Sequence, residues 1–242
     1  MKTIHIKDKL EQMNVAIDGI IMGDFDYIGE FCAKRTRDSS DPNYKKYGAF
    51  FRANYERGIL IYYLIRQFNL TSMLEIGFGR GYSTFCAARA FHDAGIDGKI
   101  TTIDPNLNED YVKTLQQVLP TDWFKYVNFV KGKSQDSLPK IDGKFDLIYI
   151  DGDHSYAATK SDWEMTKNRY EKFVLFDDYH MPSKQDKGTI QCSQLIDEID
   201  DPSKELIILD RRMFFDDRRF TDEQVDYGQV LLTKPGVNHD DW

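Results

Sequence analysis

The chain has 242 residues with 40 Asp+Glu against 32 Lys+Arg, a formal net charge of −8. That length suits one domain, or one with an appended subdomain, and 41% hydrophobic and 14% aromatic residues supply a core, which excludes disordered, collagen-like and coiled-coil readings. The acidic balance argues against a nucleic-acid clamp, which needs a basic stripe to displace counterions. The widely spaced Cys32, Cys86 and Cys192 form neither a disulfide framework nor a zinc site, as expected of a protein in the reducing cytoplasm.

The opening Met1-Lys-Thr-Ile-His-Ile-Lys7 carries a charge every few residues, so no secretory leader is expected. Residues 1–70 lack short β-branched runs. Phe51, Tyr55, Ile59, Tyr62 and Arg66 recur at helical spacing, and 38–43 has the composition of a turn. The apolar run 59–65, flanked by Arg57 and Arg66, is far shorter than the roughly 20 residues that span a bilayer, and it reads as buried helix. The expectation is an N-terminal helical cap over 1–70, whose aromatic-rich helices would suit a subunit interface.

From Thr71 the pattern changes to short apolar runs separated by helix-like polar segments, the signature of βαβ units. Candidate strands are 73–76, 100–103, 127–130, 147–150, 173–176, 206–209 and 230–232. The last two enclose no good helix, so five parallel strands are expected to end in a hairpin-like pair that adds an antiparallel strand. The charged segment 211–220 between them reads as a solvated excursion. A helix over 156–170 would place Tyr156, Trp163 and Tyr170 nearly on one face, in the core. The domain division is 1–70 cap, 71–235 core and 236–242 tail.

The motifs lie at predicted strand ends. Leu74-Glu-Ile-Gly-Phe-Gly-Arg-Gly-Tyr-Ser83 follows the first strand and opens a helix, where open α/β sheets bind ligands. A dinucleotide fingerprint would need a third glycine at position 82, which is Tyr82. Asp104 ends the next strand 23 residues beyond Gly81, close to the roughly 20-residue offset at which an acid meets ribose hydroxyls. Loop and acid together indicate a nucleoside site.

The fourth strand ends in Asp151, with Asp153 and His154 just beyond, and the fifth ends in Asp177 and Asp178. Three carboxylates at one sheet edge would repel unless a cation sat among them. All-oxygen donors favour a hard ion, magnesium first, with manganese or calcium also suitable. Such an ion could lower the pKa of a substrate hydroxyl, and His154 is the general base that would remove its proton. The bland alternative is that these Asp and His residues cap helices or tie loops.

Glu75-x-Gly77-x-Gly79-x-Gly81 followed by Asp104 resembles the S-adenosylmethionine site of class I methyltransferases. That resemblance implies a Rossmann-like, doubly wound, mostly parallel seven-stranded sheet behind the cap. It assigns Glu75, Gly77, Phe78, Gly79, Gly81, Tyr82, Ser83, Asp104 and Asp151 to the cofactor, Glu75 through water to the methionine ammonium. Gly132-Lys-Ser-Gln-Asp136 is similar to the stretch of catechol O-methyltransferase that borders adenine, which implies the same for Ser134 and Gln135. Asp151, Asp177 and Asp178 fall where that enzyme holds its metal, and His154 falls where it has a catalytic Lys. The Asp-Gly-x-His form is closer to metal-dependent macrolide-sugar O-methyltransferases and cephalosporin-hydroxylase-like relatives.

The implied function is metal-dependent O-methylation of a small hydroxylated molecule, with no nucleic-acid or membrane partner. Two alternatives stay open. One is a module that binds S-adenosylmethionine or S-adenosylhomocysteine, or transfers methyl groups without a metal. The other is an iron hydroxylase using Asp151, His154 and His180.

Overall fold

The computed structural model describes residues 1–15, 55–180, 191–209 and 227–237. The predicted turn at 38–43, the charged segment 211–220 and most of the tail lie outside the described residues, as does the segment 183–189, whose residues read as a polar loop. Along the chain run β1 (Lys2–His5), α1 (Ile6–Gln12), α2 (Tyr55–Gln67), β2 (Ser72–Ile76), α3 (Tyr82–Ala94), β3 (Lys99–Asp104) and α4 (Glu109–Val118). A 3-10 turn (Thr121–Tyr126) leads to β4 (Val127–Lys131), the one-turn α5 (Ser134–Ser137) and β5 (Phe145–Ile150). Then come α6 (Tyr156–Thr166), β6 (Tyr170–His180), α7 (Cys192–Glu198), β7 (Glu205–Ile208) and β8 (Tyr227–Thr233).

The strands form one sheet in the order β1-β7-β8-β6-β5-β2-β3-β4, parallel except for β8, which is antiparallel to both β6 and β7. From β2 the chain works outward through β3 and β4, then returns to place β5 on β2's other side. That reversal is a topological switch point, where a crevice opens at the strands' carboxyl ends.

Side chains alternate between two cores, as the two-residue period of a strand requires. Met73, Leu147, Tyr149 and Phe173 face α1 to α4, whereas Leu74, Ile148, Ile150 and Val174 face the α6 and α7 side. Fully burying each such side chain contributes roughly 1.5–3 kcal/mol before the entropy of ordering the chain is subtracted.

All seven expected strands are present, and an eighth corrects the expected count. Lys2–His5 pairs in parallel with β7, with Thr3 opposite Leu206 and Ile4 opposite Ile207, so the N-terminal region is not purely helical. Only Ile4 of this strand is buried, which leaves too little apolar alternation to be read from sequence. Its neighbourhood is fixed by charge: Glu205 takes Lys2 at 2.9 Å and the buried Lys9 of α1 at 2.6 Å.

The helix predicted over 156–170 ends at Thr166, and Tyr170 instead begins β6. Trp163 still packs into the core, its ring 5.6 Å from that of Phe176.

Helix α2 buries Ile59, Leu60, Ile61, Leu64 and Ile65 and packs against α3. A Cβ at Gly58 would stand 2.4 Å from Cys86 Sγ and 2.9 Å from the Tyr82 ring. Glycine at that position therefore lets α2 approach α3 at backbone distance.

Candidate active site

The crevice has a half made of backbone and a half made of side chains. In the first, β2 ends at Ile76 and the chain turns at Gly77 with φ +99, a left-handed conformation that glycine tolerates. The Gly77 N–H donates to Ile103 O at 2.8 Å, and the Asp151 N–H donates to Ile76 O at 2.9 Å. These bonds draw three strand ends so close that a Cβ at Gly77 would lie 2.0 Å from the Asp151 carbonyl oxygen. Gly79 and Gly81 also have positive φ, and Gly81 opens α3.

Asp104 stands behind this loop. Its Oδ2 accepts the Gly79 N–H at 2.9 Å and its Oδ1 accepts the Asn106 N–H at 2.7 Å. A carboxylate offers about four lone-pair positions, so two are left for a ligand. A groove of about 490 Å³ opens alongside, lined by Pro105, Asn106, Leu107, Asn108, Glu109, Asp110 and Lys131, within the size range of small-molecule sites.

Several expected cofactor residues brace the loop in this arrangement. Glu75 is fully buried and accepts the hydroxyls of Ser83 and Thr84, so it ties β2 to the first turn of α3. Burial pushes its carboxyl up to about 7, against the opposing pull of hydroxyls from Ser83, Thr102 and Thr84. Phe78 is a core ring beneath Gly81, 5.5 Å from the Phe129 ring, and Tyr82 lies against Gly58.

Ser134 is the first residue of α5 and donates to the buried Asp162 at 2.5 Å; Lys133 holds the capping position. Asp162 is pushed up to about 6 by burial, against the pull of the Ser134 hydroxyl. Gln135 is exposed.

In the second half, the β5 and β6 ends bring titratable groups together. The register of β6 against β8 shifts between Phe176 and Tyr179, a bulge in which Asp178 takes a φ of +53. Consecutive strand residues face opposite sides; the bulge instead turns the Asp177 and Asp178 carboxylates to one cation. That cation is Arg57 of α2, whose Nη1 lies 2.9 Å from Asp177 Oδ2 and Nη2 2.5 Å from Asp178 Oδ1. Asp177 also accepts the Tyr149 hydroxyl at 2.6 Å on Oδ2 and the Asp178 N–H at 2.8 Å on Oδ1. Gln229 Nε2 reaches the Tyr149 oxygen at 3.4 Å, extending this polar chain into the sheet.

His154 Nδ1 lies 3.3 Å from Asp178 Oδ2, and its side chain is 37% exposed. Its loop is fixed at both ends. The His154 carbonyl accepts the Gln191 N–H at 2.8 Å, and Ser155 caps α6 by accepting the Ala158 N–H at 3.3 Å. His180 contributes its N–H to Ser193 Oγ, and Tyr179 donates to Asp197.

Burial and the charges of Asp177 and Asp178 raise the Asp151 carboxyl well above its usual range. Burial also raises Asp177, against the field of Arg57. Burial opposes ionisation of Asp178 too, but Arg57, His154 and His180 together outweigh it and hold that carboxyl below its usual range.

Asp177, one of the three predicted metal donors, holds Arg57, the Tyr149 hydroxyl and the Asp178 N–H. Among the described residues, the group whose ligand atoms all lie within 4.8 Å of one another is Asp151, His154 and Asp178, two of the predicted donors with the predicted base.

Sequence reasoning missed Arg57, Tyr149 and Asp162. Arg57 had one available signal, a charge directly preceding a glycine at the start of an apolar helix. Tyr149 and Asp162 had none, being a tyrosine in a core strand and an acid in an acid-rich helix.

Residues 74–179 match the family model described as a methyltransferase domain. Among solved structures the chain is similar to the O-methyltransferase TomG from Streptomyces achromogenes, involved in tomaymycin synthesis and solved with S-adenosylmethionine. The identity is 17% and the TM-score 0.60, covering 86% of this chain and 89% of that one. It is similar too to an O-methyltransferase from Bacillus cereus in complex with S-adenosylhomocysteine, at 17% identity and TM-score 0.56, over 90% and 94% of the two chains. The S-adenosylhomocysteine-bound methyltransferase PaMTH1 of Podospora anserina follows at 18% identity and TM-score 0.53, over 86% and 88%. No curated protein sequence matches the chain.

Proposed function

We propose that the chain is an S-adenosylmethionine-dependent O-methyltransferase, because residues 74–179 match the methyltransferase-domain model and the fold is similar to that of solved O-methyltransferases. Its acceptor in this reading is a hydroxyl of a small molecule, a sugar or natural-product intermediate. The observation that carries it is one sheet edge holding both a glycine loop backed by Asp104 and an imidazole backed by a carboxylate.

When bound, S-adenosylmethionine supplies a methyl carbon made electrophilic by its sulfonium. The loop from Gly77 to Gly81 gives it close backbone approach, and the free lone pairs of Asp104 accept the ribose hydroxyls. His154 takes the acceptor's proton. Its Nδ1–H is held by Asp178, which leaves Nε2 as the basic nitrogen and stabilises the imidazolium as it forms. Arg57 keeps Asp178 ionised for that purpose.

A second reading is favoured by the proximity of Asp151, His154 and Asp178. Magnesium, manganese or calcium held there would supply positive charge for the acceptor oxygen. Chelation separates the two: turnover that persists in excess chelator supports His154 with Asp178, and turnover lost on chelation and restored by magnesium supports the second reading.

The acceptor class agrees with the acidic chain, and among the described residues no helix is long and apolar enough to cross a membrane. Cytoplasmic residence and association through the N-terminal region belong to the same proposal. Transfer of isotope-labelled methyl groups to a panel of hydroxylated sugars and phenols tests it. The expected result is one acceptor class labelled, whereas failure to bind S-adenosylhomocysteine in calorimetry would remove the premise.

A further inference from the structure

We infer that Arg57 is the resident cation of the acidic pocket, and that it competes with a divalent ion for Asp178. The inference goes beyond the transferase reading, because it needs the ion-pair geometry and no particular reaction.

Three observations carry it. First, the contact is a fork. Two nitrogens of one planar guanidinium meet oxygens of two different carboxylates at 2.9 and 2.5 Å, the arrangement in which arginine exceeds lysine. Second, backbone features on both sides serve the contact. The bulge with Asp178 in the left-handed region aligns the two acids, and the missing Cβ of Gly58 lets α2 come close enough for the neighbouring Arg57 to reach them. Third, the partners are enclosed. The Asp177 side chain is 0% exposed, and those of Arg57 and Asp178 are 16% and 17% exposed, so water screens the pair little.

An ion bound by Asp151, His154 and Asp178 would compete with Arg57 for Asp178 and with Asp178 for His154. Arg57 lies outside residues 74–179, so the cation comes from a segment that the methyltransferase-domain match does not include. The N-terminal region thus contributes a positioning residue to the site it borders.

The test is manganese binding to the metal-stripped full chain, read as free manganese by electron paramagnetic resonance. Arg57→Gln is expected to bind one manganese at least tenfold more tightly than the parent, and the added Asp178→Asn change is expected to abolish that gain. Arg57→Gln binding manganese no more tightly than the parent, whether both bind or neither does, would overturn the inference. Should Arg57→Gln fail to fold, Arg57→Lys carries the same comparison, since lysine keeps the charge but cannot fork across two carboxylates. Tighter manganese than the parent then supports competition by the fork, and equal affinity overturns it. Calorimetry with S-adenosylhomocysteine on the same samples keeps the questions apart, because loss of that binding counts against the transferase reading alone.

Discussion

The glycine-loop half and the acidic half of the crevice are neighbours built on opposite plans. In the first, residues 74–83 and Asp104 come from adjacent strands, and most contacts are local: N–H groups of the loop meet Asp104, and hydroxyls of α3 meet Glu75. In the second, Arg57, Tyr149, His154, Asp177 and Asp178 come from α2, β5, a loop and β6, and side-chain contacts across large sequence separations define the arrangement. A site of the first kind is fixed by backbone geometry and fails by steric strain. A site of the second kind is fixed by charge balance and fails when one partner is removed.

The largest expected effect breaks the second half without touching the first. His154→Ala should lower the catalytic rate about 10²- to 10⁴-fold, the usual contribution of a general base, while S-adenosylhomocysteine affinity stays near that of the parent. A parallel loss of cofactor affinity in calorimetry would show that the halves are not separable.

Next comes the converse experiment. Gly77→Ala adds a Cβ 2.0 Å from the Asp151 carbonyl oxygen at a φ of +99, which should destabilise the fold by about 3 kcal/mol or more from strain and overpacking together. Chemical denaturation measures this, and a loss below about 1 kcal/mol would mean that the strand ends are looser than described.

Glu75 sharpens the comparison through pH. Its folded value of about 7 lies above the ordinary 4.5, so the folded state holds the proton more tightly than the unfolded one. The resulting stability is fully present below pH 4.5 and is lost as pH rises through 7, a change of roughly 3 kcal/mol. Glu75→Gln should therefore flatten the melting temperature between pH 5 and pH 8. Parallel pH profiles for parent and variant would contradict the assignment.

Smaller again is Asp104→Asn. Loss of charge-assisted hydrogen bonds to a ligand diol should weaken S-adenosylhomocysteine by about 1.5–3 kcal/mol.

The same contrast explains what could be read from the sequence. The core strands and the glycine loop were legible because they depend on short-range patterns, short apolar runs and Gly77, Gly79 and Gly81 at fixed offsets. Asp151, His154 and Asp178 were legible as strand-end residues, and the structure brings them within ligand distance of one another. Arg57 was not, because pairing it with Asp177 and Asp178 depends on how α2 packs, set by Gly58 against Cys86 and Tyr82 in a different element. The sequence led to the expectation of a cation among three carboxylates, and Arg57, 121 residues before Asp178, lies against two of them. β1 was missed for a related reason, since its partner β7 lies at the far end of the chain and only Ile4 is buried.

Titration of S-adenosylhomocysteine into the parent, His154→Ala and Asp104→Asn by isothermal calorimetry tests the central claim most directly. The account predicts one site in the parent, an unchanged affinity in His154→Ala and an affinity lower by about tenfold or more in Asp104→Asn. No binding to the parent, or equal weakening in both variants, would contradict a cofactor half and a chemical half working side by side.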